Sequence, residues 1–115
     1  MKYVMLIMDT PESLAQYETN KEWFGEVAAW YEKVGASGKL ADSGAQLQPA
    51  ATAKTVRSTG VTDGPFIEVK EIVGGYSIVQ ADTLDAAAEL AKGCPIFLRG
   101  GSVEVRPLQG LAIGK

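Results

Sequence analysis

Residues Tyr3-Val4-Met5-Leu6-Ile7-Met8 are apolar without a break. The run is bounded by Lys2 and by Asp9-Thr10-Pro11, which makes it too short for a helix and reads as a strand. Alternate side chains of a strand point to opposite faces of its sheet. Here both sets are apolar: Tyr3, Met5 and Ile7 on one face, Val4, Leu6 and Met8 on the other. Both faces of the sheet that holds this strand therefore have to be covered.

The rest of the chain shows what is available to cover them. Pro11 to Glu18 is polar and reads as a loop. Thr19-Asn20-Lys21-Glu22 has the spacing of a capping box, with Thr19 as N-cap. Trp23, Val27, Trp30 and Val34 then repeat at helical spacing, and Gly35 and Gly38 predict a stop near Val34. Lys39–Gln48 and Ala53–Ser58 are weaker, half-polar strands. Gly60–Pro65 is rich in turn formers, and residues 68–71 are a charged connector. Gly75–Ala81 predicts a second interior strand. Asp82-Thr83 can cap a second helix, with Leu84, Ala87, Ala88 and Ala91 on its narrow face, ending at Gly93 and Pro95. Ser102–Arg106 alternates strictly, with Val103 and Val105 on one face.

This order, β-α-β-β-(turn)-β-α-β, predicts an α+β ferredoxin-like antiparallel sheet with two helices on one face. At 115 residues the chain is expected to be one domain over residues 1–115. Two helices leave the other sheet face bare. The simplest cover is a second copy of the chain, sheet to sheet, in a closed two-fold homodimer.

Composition excludes several functions. There is no histidine, which removes the usual general base, the Ser-His-Asp and Cys-His nucleophile systems and imidazole metal ligands. The net charge of -3 argues against a nucleic-acid partner. No Gly-rich phosphate motif and no Asp-rich calcium loop is present, so neither a cofactor nor a metal is expected. No stretch approaches the roughly 20 apolar residues of a membrane span. One cysteine, Cys94, and no secretory leader pattern point to the cytoplasm.

Thr62-Asp63-Gly64-Pro65-Phe66, followed by Glu68, Lys70, Glu71 and Gly74-Gly75-Tyr76, resembles the DGPF family of YCII-related proteins. Asp82-Thr83-Leu84-Asp85-Ala86-Ala87, Gly101-Ser102-Val103-Glu104-Val105-Arg106-Pro107, the opening Met1–Leu6 and Gly38-Lys39-Leu40 are similar to that family as well. The resemblance implies a dimeric α+β barrel. The wider group carries a His–Asp pair, which cannot be transferred to a chain without histidine. Some of its relatives are small lyases, and some DGPF proteins occur near or fused to alternative sigma factors.

Five residues are candidates for a site. Asp63 is a general base or ligand acceptor if its carboxylate faces a cleft, and a turn residue if it caps the Gly64-Pro65 backbone. Asp42, after the first helix, is a second carboxylate candidate and equally a strand-end turn residue. Tyr76 carries a hydroxyl that needs a partner, and Trp23 and Phe66 offer aromatic walls. A raised thiol pKa is expected at Cys94, beyond a helix C-terminus, which argues against a thiolate nucleophile. The inventory suits a small-ligand-binding or accessory regulatory module. The alternative is a small lyase- or isomerase-like enzyme that moves protons with carboxylates.

Overall fold

The computed structural model describes residues 1–13, 22–48, 52–64 and 72–109, except for the side chains of Trp23 and Phe24. The Thr19 cap, Phe66 and the charged connector lie outside the described residues. A four-stranded antiparallel sheet has the order β2-β5-β1-β6, formed by Leu40–Gln46, Ile72–Gln80, Lys2–Asp9 and Ser102–Pro107. Helices α1 (Glu22–Ala36) and α2 (Leu84–Ala91) complete the ferredoxin-like α+β fold. Two further strands, β3 (Lys54–Arg57) and β4 (Gly60–Asp63), pair with each other as a separate hairpin.

The apolar opening run becomes β1, a central strand. Tyr3 and Met5 are buried in one core with Val79 of β5, Trp30 and Val34 of α1, and Ala87 and Ala91 of α2. Both helices thus pack on the face that carries Tyr3 and Met5. On the other face Val4, Leu6 and Met8 are only half-buried in the single chain. Among the described residues, neither helix covers this second apolar row.

Several boundaries differ from the sequence expectation. Helix α1 runs past Gly35 to Ala36, and Gly38, at φ +77°, takes the left-handed turn that follows. Residues 11–13 are helical, where a loop was expected. Gly60–Asp63 is a strand and not a turn, because pairing with β3 satisfies its backbone despite the turn-forming composition. In α2 the Thr83 side chain accepts from the Ala86 N–H, as a cap should, but Leu84 is exposed and Ala87 and Ala91 alone are buried. A 3-10 turn at Pro95–Arg99, ended by Gly100 at φ +82°, connects α2 to β6.

Candidate functional site

The bare sheet face brings two of the predicted residues together. Asp42 stands opposite Ile78, and Ala45 stands opposite Tyr76, on the edge pair β2–β5. Opposed residues share a face, and Tyr76 and Ile78 are two apart, so Asp42, Ile78 and Tyr76 all lie on one side. The same register places Val4 opposite Ile78 and Leu6 opposite Tyr76. A polar corner of one carboxylate and one phenol thus borders an apolar strip of Val4, Leu6, Met8 and Ile78.

The sharing of a face depends on an irregularity in β2. Two residues lie between Asp42 and Ala45 but only one between their partners Ile78 and Tyr76, which marks a bulge. Gly44 makes the bulge feasible. Its φ is +70°, and a Cβ there would overlap the carbonyl oxygen of Tyr76. Its N–H donates to Asp42 Oδ1 at 2.8 Å, which holds the carboxylate beside the strand. Asp42 itself is exposed, and Tyr76 is 36% exposed.

Asp63 is placed elsewhere, at the open end of the β3–β4 hairpin. Its Oδ1 accepts from Lys54 Nζ at 2.6 Å, with the carboxylate 86% exposed. The hairpin end is closed by Gly64 N–H on the Ala53 carbonyl and by the Thr55 hydroxyl on the Gly64 carbonyl. Gly64 does take the left-handed turn, φ +78°, expected of the Asp-Gly pair. Asp63 and Asp42 thus belong to different sheets. Trp23 lies in α1, but its side chain, like Phe66, is outside the described residues.

Sequence reasoning missed a polar seam on the helix-covered side. Asp9 Oδ1 accepts from Ser13 Oγ at 2.8 Å and from Arg99 Nη2 at 3.4 Å, all three residues being buried. The Asp9 carboxylate lies over Gly74, where a Cβ would overlap it, so a glycine within the interior strand β5 makes room for the charge. Further along the seam, the Tyr31 and Ser77 hydroxyls lie 3.4 Å apart, and the Trp30 and Tyr31 rings meet edge on. Burial pushes the Tyr31 phenol and the Cys94 thiol up, the second despite the Ile96 backbone hydrogen bond and the Arg99 charge. The expectation for Cys94 had the right sign, but burial is the main cause. Arg99 has no local signature in sequence, because its partner Asp9 stands 90 positions away, whereas Ser13 reaches Asp9 from four positions along.

Among the described residues no three His, Cys, Asp or Glu side chains are close enough to hold a metal ion. No helix of the described residues is long and apolar enough to cross a membrane.

A solved structure with the same fold is 5-chloro-2-hydroxyhydroquinone dehydrochlorinase (TftG) from Burkholderia phenoliruptrix AC1100, in complex with 2,5-dihydroxybenzoquinone. It superposes with a TM-score of 0.56 at 16% identity, over 95% of this chain and 94% of that one. An uncharacterised protein of Rhizobium meliloti (strain 1021) is 34% identical over 96 residues, which is 79% of this chain and 77% of the relative. The profile of the YCII-related domain matches residues 1–110. With a family profile across almost its full length and a relative above 30% identity, the chain belongs to the YCII-related family.

Proposed function

We propose that this protein is a small-ligand-binding module that works in the cytoplasm as a homodimer, its bare sheet face turned toward a second copy. The ligand sits at the β2–β5 corner, where Asp42 accepts a hydrogen bond and Tyr76 donates or accepts one. The observation that carries this reading is the common face of Asp42 and Tyr76 beside the apolar Val4, Leu6 and Ile78. A few polar groups next to an apolar wall are what a small-molecule site requires. Both candidate carboxylates stand in solvent and on different sheets, an arrangement that favours binding over a carboxylate dyad.

The enzymatic reading, proton transfer by a carboxylate on a small organic substrate, takes its one support from the fold neighbour, a dehydrochlorinase with a dihydroxyquinone bound. One experiment serves both readings. 2,5-Dihydroxybenzoquinone and related hydroxylated rings are titrated into the full chain by calorimetry. Saturable binding that falls about tenfold in Tyr76→Phe and in Asp42→Asn, with melting temperatures unchanged, supports the corner. A factor of ten is what one hydrogen bond of roughly 1.4 kcal/mol contributes. Binding that neither substitution weakens places the ligand elsewhere. Consumption of the ring compound that Asp42→Asn abolishes supports the enzyme.

A further inference from the structure

We infer that the β3–β4 hairpin is an arm that packs against a second copy of this chain, an inference that rests on the sheet-to-sheet homodimer proposed above. The hairpin is exposed. Of its eight strand residues only Thr55 is half-buried, and the rest are exposed. Val56 and Val61 stand directly opposite each other and are 74% and 59% exposed. An isolated two-stranded hairpin is at best marginally stable in water. This one is tied at its open end by the Lys54–Asp63 ion pair and the Thr55–Gly64 bond, which orient it without covering the valine pair.

Two observations favour a second copy as the cover. The first is continuity. The hairpin is inserted between β2 and β5, the two strands that carry Asp42 and Tyr76 on the bare sheet face. It therefore leaves and rejoins the sheet at the border of the proposed interface. Val73, 39% exposed opposite Met8, extends the apolar strip toward the same end. The second is area. Four strands about 4.8 Å apart and roughly 26 Å long give a face on the order of 500 Å². A stable interface buries about 800 Å² per partner. The sheet face alone makes an interface at or below that size, and an arm laid across the partner enlarges it.

The test uses the full chain and two variants. Val56→Lys combined with Val61→Glu replaces the apolar pair by a cross-strand ion pair that keeps the hairpin itself favourable. Sedimentation velocity over a concentration series is expected to give a dimer for the wild type and a dissociation constant at least tenfold higher for the double variant. An unchanged constant overturns the arm while leaving the sheet dimer standing; a wild-type monomer overturns both. Independently, Val56→Cys in a Cys94→Ala background carries a thiol-linked photo-cross-linker, in a mixture of isotope-labelled and unlabelled chains. Cross-linked peptides that join labelled to unlabelled chains support the arm. Cross-links confined to one chain, in a sample that sediments as a dimer, overturn it.

Discussion

The guanidinium of Arg99 and the carboxylate of Asp9 meet in the interior, Nη2 3.4 Å from Oδ1, although the two residues stand 90 positions apart. Asp9 ends the first strand, and Arg99 ends the 3-10 turn that leads into the last one. The pair therefore joins the two ends of the fold. Removing one partner of a buried pair leaves an uncompensated charge, at a cost of about 3–5 kcal/mol. Arg99→Met is expected to lower unfolding stability in urea by that amount. Asp9→Asn combined with Arg99→Met is expected to recover part of it. A loss below about 1 kcal/mol in the single variant contradicts this account of the pair.

Gly44 and Gly38 both hold left-handed backbone, yet they differ in what surrounds them. Nothing lies within 4 Å of a Cβ at Gly38, whereas at Gly44 the Cβ meets the backbone of Tyr76. Gly38→Ala is expected to cost roughly 1–2 kcal/mol, the strain of the conformation alone. Gly44→Ala is expected to cost more, because the β2–β5 edge has to open as well. Hydrogen exchange separates the two: Gly44→Ala loses protection along β2, and Gly38→Ala retains it. Equal costs with β2 protection intact would show that the bulge is not tight.

The Cys94 thiol is pushed above its ordinary 9.0 by burial, so the folded chain resists its ionisation. The unfolded thiol ionises first as pH rises. Stability linked to Cys94 is therefore complete below about pH 9 and is lost above it. Tyr31, raised above 10.0 by burial, adds a second loss at higher pH. Urea midpoints are expected to fall between pH 8 and pH 10, and to fall less steeply in Cys94→Ala. The native thiol is expected to react slowly with a disulfide reagent at pH 8 and quickly in urea; rapid native reaction contradicts the burial of Cys94.

Asp63 makes an exposed ion pair with Lys54. Pairs of this kind are worth roughly 0–1 kcal/mol. Asp63→Asn and Asp63→Ala are thus both expected to melt close to wild type, with the difference shrinking further in high salt. A larger loss in Asp63→Ala than in Asp63→Asn would show that the carboxylate supports the turn after all.

What was readable in the sequence follows from how local each signal is. The Tyr3–Met8 run, the Val103/Val105 alternation and the Thr83 cap are local patterns, and each became the element it predicts. The surplus apolar row of β1 pointed to a bare sheet face, and Val4, Leu6 and Met8 lie on it half-buried. Strand β4 was hidden because Gly60, Asp63 and Gly64 are turn formers and its partner alone makes it a strand. The Asp9–Arg99 pair was hidden because no periodicity links residues so far apart. For the site, the sequence offered Asp42 for its carboxylate, Tyr76 for its hydroxyl and Asp63 for a further carboxylate, beside the aromatic Trp23 and Phe66. Only the register puts the first two on one face, and the Lys54 contact sets the third apart.

The homodimer proposed here covers the bare face of the sheet with a second copy of the chain. Light scattering on the purified protein at micromolar concentration measures this directly. A mass about twice 12.2 kDa is expected, and Leu6→Glu, a charge placed in the middle of the face, is expected to shift it toward the single-chain value. A wild-type mass equal to that of one chain, with Val4, Leu6 and Met8 open to solvent, would contradict it.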